Sequence, residues 1–208
     1  MLLSEIVTNV KVWLGQHATA TTTLIEAVFN DEYVAIVKQF FFDELDFSES
    51  KDSVASTATL TLTTNTTWYH ITSVYDEDND YELEQQDELW YNELDDPDEE
   101  GTSTTFVVRL GAIYLIPVPD AAVTYRVRGQ KTPATVTSAQ TPAIPAEWHY
   151  VLECKTAQRI ANQLGLVETM MRAQNAALSK ISELVEHRTI RRRDMTGQMI
   201  VTSRVSVI

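Results

Sequence analysis

The chain has 208 residues, of which 44% are hydrophobic and 9% aromatic, enough to form a buried core in one domain or in a compact domain with appendages. We expect no membrane span, no signal peptide and, with Cys154 the only cysteine, no internal disulfide, which favours folding in a reducing cytoplasm. The net charge of −14 is unevenly distributed along the chain. Residues 1–150 have 25 acidic and 7 basic side chains, a charge of −18, and residues 151–208 have 5 acidic and 9 basic side chains, a charge of +4. The two ends of the molecule are therefore expected to face different surroundings.

Two helices are predicted at the start of the chain. The first covers about residues 2–14 and ends before Gly15, with Ser4 as an alternative N-cap, because its apolar residues recur at helical spacing. The second begins near Thr22 or Thr23, either of which can cap it, and runs to about residue 40. Its apolar stripe consists of Ile25, Phe29, Tyr33, Ile36 and Phe40. Both stripes predict core packing, so the helices are expected to pair.

Residues 51–130 show a β pattern. The segment 54–66 is rich in β-branched residues, and with 68–75 it predicts a hairpin that turns at Asn65. A short helix is predicted around residues 83–94, and further strands at 106–110, 112–118 and 122–129. Gly111 and the pair Pro119–Asp120 supply the turns between these three strands. Such short, closely spaced strands favour an antiparallel β-meander or β-sandwich-like domain of about five strands.

The acidic segment 76–100 contains fourteen acidic residues and neither lysine nor arginine. Such a surface repels nucleic acid, although an ordinary solvated acidic loop has the same composition. Its first twelve residues place aspartates where a calcium loop has them, but Tyr81 stands where that loop needs glycine, and Asp87 where it needs glutamate. Weak cation binding is therefore expected rather than a calcium site.

A proline- and threonine-rich connector, residues 131–146, is expected to be extended. A helix then begins near Ala146 and ends at Gly165, and another covers about residues 166–187. The first of these has a coiled-coil-like seam of mostly small or apolar residues: Tyr150, Cys154, Ala157, Ala161 and Leu164. This seam, with Met170, Met171 and Leu178 of the next helix, packs either within one subunit or against another.

The predicted fold class is α+β. It consists of a bundle of about four helices, an inserted β domain and an extended C-terminal tail. The predicted divisions are 1–50 for the N-terminal helices, 51–130 for the β domain, 131–188 for the connector and C-terminal helices, and 189–208 for the tail.

The tail has three consecutive arginines and ends in a segment that alternates apolar and polar residues, which predicts a strand from Met199 onward. This strand is expected either at the edge of the chain's own sheet or paired with another subunit. The arginines form either a solvated helix end, favoured by the helix dipole, or contacts with acidic groups of a partner.

We find no pattern in the sequence that predicts catalysis or a cofactor. The four histidines are far apart, a single cysteine excludes a Cys/His zinc site, and no glycine-rich phosphate loop or nucleophile elbow occurs. His149, at a helix start, is expected to form a local hydrogen bond rather than to act as a base. The protein is therefore not expected to be an enzyme.

The order of segments carries a family resemblance. A strand ending in a proline-rich turn precedes a second strand, and a proline-bounded element then opens a long helix. The residues that match are Tyr114, Leu115, Pro117, Pro119, Asp120, Tyr125, Arg126, Val127 and Arg128, followed by Pro142, Ile144, Pro145, Glu147, Trp148 and His149. This combination resembles the head-to-tail connector adaptors of tailed bacteriophages. The similarity covers about residues 2–188 in segment order, and its specific part is 112–165.

The resemblance implies a structural protein of the virion, made in the host cytoplasm and located at the head–tail interface. Such adaptors form a homo-oligomeric ring, typically a dodecamer, below the portal protein. The ring extends the DNA channel and gives tail proteins (nozzle, tail-tube or fibre proteins) a docking platform. Double-stranded DNA passes through it without specific binding, and no membrane is involved.

For this chain the resemblance places three sets of residues at interfaces. Subunit–subunit helix packing is expected for Tyr150, Cys154, Ala157, Ala161, Leu164, Met170, Met171 and Leu178. The channel or the tail proteins are expected to face Asp76, Asp78, Asp80, Asp95, Asp96 and Asp98. The portal or a neighbouring subunit is expected to contact Arg191, Arg192, Arg193, Met199, Val201, Val205 and Val207.

Three other functions fit parts of the sequence. A tail-side connector or head-completion protein would share the same features. An acidic DNA mimic that inhibits a DNA-binding enzyme fits the charge, although here the carboxylates are concentrated in one segment and the C-terminus is basic. A small hydrolase with an unrecognised site is the third.

Overall fold

The computed structural model describes residues 1–62, 67–187, 191–193 and 199–201. Its helices are α1 (Leu3–Trp13), α2 (Thr22–Gln39), α3 (Glu88–Asn92), α4 (Ala146–Gln163) and α5 (Val167–His187). Its strands are β1 (Asp46–Asp52), β2 (Thr59–Leu60), β3 (Trp68–Asp76), β4 (Tyr81–Glu82), β5 (Glu84–Gln86), β6 (Glu100–Gly101), β7 (Thr105–Arg109), β8 (Ala112–Ile116), β9 (Val118–Pro119), β10 (Thr124–Lys131), β11 (Arg191–Arg193) and β12 (Met199–Val201). The α+β class predicted from the sequence is confirmed.

The chain forms two compact units. The helical unit comprises Met1–Leu45 and Thr132–Ile208, and the β unit comprises Asp46–Lys131. The β unit therefore lies, in sequence, between the two parts of the helical unit. Each unit has its own core, so each is described by itself.

Helix α4 is central to the helical unit, because α1, α2 and α5 all pack against it. Its Trp148 is almost completely buried, and the rings of Phe40 and Phe42 lie 4.8 and 5.2 Å from the Trp148 ring, centroid to centroid. The predicted stripe of α2 is also buried, from Ile25 to Phe40. Aromatic rings at these separations add to the free energy gained by burying their apolar surface. The predicted core packing of these helices is confirmed.

The helix ends follow from particular residues. Helices α1 and α4 both end in a glycine with positive φ, Gly15 and Gly165, which lets the next residue return a hydrogen bond to the last turn. After α4, for example, the Leu166 N–H donates to the carbonyl of Ala161 at 2.8 Å. The N-cap of α2 is Thr21 rather than Thr22 or Thr23, since the Thr21 hydroxyl accepts a hydrogen bond from Leu24 N at 3.2 Å.

The connector is fixed to the helices by hydrogen bonds. The carbonyl groups of Gln140 and Ser138 accept from the first two N–H groups of α1, at 2.9 and 3.1 Å. On α2, the Asn30 amide bonds both backbone groups of Val136, and the Tyr33 hydroxyl accepts from Ala143 N at 3.0 Å. The bonds to α1 satisfy N–H groups that have no partner within that helix. The bonds to α2 attach the extended connector, which makes few backbone hydrogen bonds of its own, to the helical unit.

The β unit contains two four-stranded sheets, in the orders β1-β10-β3-β4 and β2-β8-β7-β5, and the parallel pair β6–β9. All pairings within the four-stranded sheets are antiparallel except β5 with β7, which is parallel. One apolar cluster draws on both sheets, with Ile71, Val74 and Val127 from the first, and Phe106 and Leu115 from the second. The sheets therefore pack face to face, as in a β-sandwich.

Parts of the predicted strand pairing are wrong. The described residues of 54–66 and 68–75 do not pair as the predicted hairpin, because β2 pairs with β8, and β3 pairs with β10 and β4. Alternation of apolar residues indicates which face of a strand is buried, but not which strand lies beside it. Strand β1 was not predicted, because Phe47 is its only buried residue. The predicted turn at Asn65 lies outside the described residues.

The segment 83–94 differs from its prediction for a local reason. The carboxylate of Asp87 caps the helix by accepting from Trp90 N at 2.8 Å, so α3 begins only at Glu88. The residues before it, Glu84–Gln86, pair with β7 instead. By contrast, the hairpin of β7 and β8 turns at Gly111 as predicted, with positive φ at both Leu110 and Gly111.

Candidate functional site

Helix α5 has an apolar stripe that the described residues leave largely exposed. Val167, Met171 and Leu178 have 61%, 54% and 50% of their surface exposed. At 3.6 residues per turn they lie within about 40° of one another on the helix, so they form one face. Half-buried Met170, Ile181 and Val185 lie beside them or in line with them. The opposite part of α5 packs through Ala173, Ala177 and Leu184, which are buried.

The seam predicted on α4 is mostly inside the unit. Cys154, Ala157 and Ala161 have no exposed surface in the single chain, so their place in a contact between subunits is corrected to packing within one subunit. Burial raises the pKa of the Cys154 thiol from 9.0 to about 11. The thiol is therefore protonated at neutral pH and unreactive. Only Tyr150, which is 39% exposed, and half-buried Leu164 remain accessible from this seam.

The acidic segment divides into one buried and several exposed carboxylates. Asp76 is fully buried, and its carboxylate accepts from the backbone N–H groups of Asp78 and Asn79 and from the Asn79 side chain, at 2.8 to 3.0 Å. Its predicted position facing a channel or tail protein is therefore wrong, since Asp76 closes its own loop instead. The other five predicted residues, Asp78, Asp80, Asp95, Asp96 and Asp98, are exposed.

The loop that resembles a calcium site uses its carboxylates internally. Asp78 Oδ2 accepts from Thr124 N at 2.8 Å, and Tyr75 donates its hydroxyl proton to Asp80. Among the described residues, no group of three or more histidine, cysteine, aspartate or glutamate side chains is placed to hold a metal ion. The aspartates here organise a turn between β3 and β4.

A pocket in the helical unit was missed by sequence reasoning. It has a volume of about 310 Å³ and is lined by Asn9, Val12, Trp13, Glu153 and Arg172. Glu153 is only 5% exposed, and its two carboxylate oxygens accept from Trp13 Nε1 and Asn9 Nδ2, each at 2.8 Å. The Arg172 guanidinium lies over the Trp13 ring, 5.8 Å from its centroid. In sequence, the only signal was a glutamate between two buried residues, Leu152 and Cys154.

His149 forms the local hydrogen bond expected of it. Its Nε2 lies 3.1 Å from the Ile144 carbonyl, so Nε2 carries the proton and Nδ1 accepts from the Met1 amino group at 3.2 Å. Burial lowers the pKa of His149, and the neighbouring N-terminal charge lowers it further. The imidazole is therefore neutral at physiological pH, with both nitrogens occupied.

The described part of the tail consists of two short strands that pair in antiparallel fashion. Arg191, Arg192 and Arg193 of β11 pair with Val201, Ile200 and Met199 of β12. The three arginines are thus in a strand and not at a solvated helix end, and these three residues of β12 have their partner in the same chain. The backbone of β11 lies beside α2. The remaining tail residues predicted to make contacts, Val205 and Val207, lie outside the described residues.

Comparisons with known proteins agree with the segment order. The model of the family described as "SU10 adaptor protein" matches residues 1–202, nearly the whole chain. No curated protein matches. In the part of the chain that the structure describes, none of the helices has the length and apolar character to cross a membrane.

Proposed function

Since the chain belongs to the SU10 adaptor protein family, a family of phage-related adaptors, we propose that it is a non-enzymatic head-to-tail adaptor of the virion. In this proposal, identical copies form a ring, as a dodecamer, below the portal protein. The ring extends the DNA channel and gives tail proteins a docking platform. The observation that carries the proposal is the family match over residues 1–202.

The uncovered stripe of α5 supports assembly into a ring. A closed ring needs a contact in which each copy offers one surface to the next copy along. Full burial of a Val, Leu or Met side chain is worth about 1.5–3 kcal/mol, so covering the exposed half of Val167, Met171 and Leu178 contributes roughly 1 kcal/mol each. In the proposed ring a neighbouring copy covers this stripe, with Tyr150, Leu164 and Met170 at its border.

The exposed aspartates suit a surface past which DNA moves. Asp78, Asp80, Asp95, Asp96 and Asp98 carry negative charge into solvent. Carboxylates at this density repel the phosphate backbone and offer no cations to displace its counterions. In the proposed ring they face either the channel or the tail proteins, and DNA passes without being held.

The tail is proposed to attach the ring to the portal or to a neighbouring copy. Met199 and Val201 pair with β11 on one side, so in this proposal a partner's sheet or groove meets the other side of the strand and Val205 and Val207, which continue the alternation in sequence. Arg191, Arg192 and Arg193 supply positive charge next to this strand for acidic groups of the partner.

Reconstitution with portal protein tests the proposal. The purified chain is mixed with the portal protein of the same phage, and the products are examined by sedimentation velocity and electron microscopy. We expect a ring of copies on one end of the portal. Failure of the two proteins to form a complex at micromolar concentration, with both shown to be folded, would contradict the proposed function.

A further inference from the structure

We propose that the pocket formed by Asn9, Val12, Trp13, Glu153 and Arg172 binds an arginine side chain from segment 188–193 of a second copy. The inference rests on the proposed ring and names a specific contact within it. The pocket is lined by residues of α1, α4 and α5, all within the helical unit.

The base of the pocket is a buried carboxylate that has only neutral hydrogen-bond donors. Glu153 accepts one bond on each oxygen, from Trp13 and from Asn9, whereas an ionised carboxylate has about four acceptor positions. Among the described residues, no cationic side chain forms an ion pair with Glu153. Removing such a charge from water is costly unless a cation compensates it, so the site favours a positively charged ligand.

A guanidinium group matches this site better than a smaller cation does. Its planar fork of N–H donors can bond both oxygens of one carboxylate, and it stacks on aromatic rings such as Trp13. The pocket, with a volume of about 310 Å³, is large enough to admit an arginine head group. Arg172 lines the same pocket, is exposed and lies over the Trp13 ring, so an arginine ligand that stacks on that face of the ring must displace the Arg172 side chain.

The chain itself carries a concentrated source of guanidinium groups. Segment 188–193 contains Arg188, Arg191, Arg192 and Arg193, four of the ten arginines in the sequence. The backbone of β11 lies beside α2, whereas the pocket is lined by residues of α1, α4 and α5. If β11 of one copy met the pocket of the next, the two copies would use different elements in their contact, which is a head-to-tail contact of the kind that closes into a ring.

A peptide titration followed at Trp13 tests the pocket. The probe is an acetylated and amidated peptide with the sequence of residues 188–195, and a second peptide carries citrulline, the uncharged analogue, in place of every arginine. Binding to the full chain is read from the four tryptophan indole N–H signals in a nitrogen–proton NMR spectrum, with Trp13 assigned from Trp13→Phe. The Trp13 signal is a direct reporter, since this N–H donates to Glu153.

We expect the arginine peptide to shift the Trp13 signal saturably. The citrulline peptide should bind at least tenfold more weakly, and so should the arginine peptide to Glu153→Gln. Glu168→Gln, which alters an exposed carboxylate on α5, should bind like the natural chain. Absence of a saturable shift, or equal binding of the two peptides, overturns the inference even if Glu153→Gln proves unstable.

Assembly distinguishes this inference from the proposed function. If rings form on the portal but the peptide leaves Trp13 unchanged, the pocket inference fails and the adaptor function stands. If the peptide binds but Glu153→Gln forms rings with the stability and salt dependence of the natural chain, a second copy is not the source of the arginine. If the peptide binds and no ring forms on the portal, both the second-copy contact and the proposed function fail.

Discussion

Replacing Met171 and Leu178 with serine removes most of the uncovered stripe of α5 while leaving the buried face of the helix unchanged. Both side chains are about half exposed, so the folded single chain loses at most the contribution of their covered halves, roughly 1 kcal/mol each. The other half contributes only when a neighbouring copy covers it. Each subunit contact should therefore lose a further 2 kcal/mol or so, about a thirtyfold change in its equilibrium constant.

The assay compares assembly and stability in the same variants. Mass photometry of portal mixtures measures the fraction of portal that carries a ring, and urea denaturation of the adaptor alone measures its free energy of unfolding. The matched control is Leu110→Ser, which removes a leucine that is 88% exposed, in the turn between β7 and β8. We expect loss of rings for the double variant and none for the control. Rings at natural levels in the double variant would refute the assignment of α5 as a subunit contact.

Three further outcomes are expected. Gly129→Ala should lower the free energy of unfolding of the β unit by about 2–4 kcal/mol in denaturant, because the added Cβ would lie 2.3 Å from the His70 carbonyl oxygen. A loss below about 1 kcal/mol would contradict this, since it would mean that β10 shifts to accept the methyl group. Deleting residues 195–208 should leave the circular dichroism spectrum and the free energy of unfolding of the chain nearly unchanged, but should weaken portal binding. A shortened chain that fails to fold, or that binds the portal with natural strength, would contradict the proposed attachment. The free energy of unfolding should fall as pH rises from about 9 to about 11, because the Cys154 thiol keeps its proton in the folded chain and loses it in the unfolded one. Cys154→Ala should show a shallower fall over the same pH range. Identical pH profiles for the two proteins would contradict a raised pKa of Cys154.

The helices could be predicted because their signals are local. Periodic apolar residues fix the buried face of a helix, and glycines such as Gly15 and Gly165 fix where it ends. The pairing of strands could not be predicted in the same way, because partners such as β2 and β8 are far apart in sequence. A polar strand such as β1 has too little apolar alternation to be recognised at all.

The candidate interfaces were only partly predictable for a different reason. Small residues such as Ala157 and Ala161 suit close packing within a subunit as well as between subunits, so the sequence pattern leaves the two open. Burial in the structure distinguishes packing within a subunit from packing between subunits. Ala157 and Ala161 are buried within the single chain, whereas Met171 and Leu178 are exposed and available for a contact between subunits. Glu153 was missed because a single glutamate in a helix resembles a solvated residue until its neighbours Asn9 and Trp13, from another helix, are known.

A cryo-electron microscopy reconstruction of the adaptor bound to its portal protein tests the central claim most directly. The account predicts a closed ring of identical copies, in which each copy covers Val167, Met171 and Leu178 of its neighbour. A complex in which α5 faces solvent all along this stripe, or an adaptor bound as separate single copies, would contradict it.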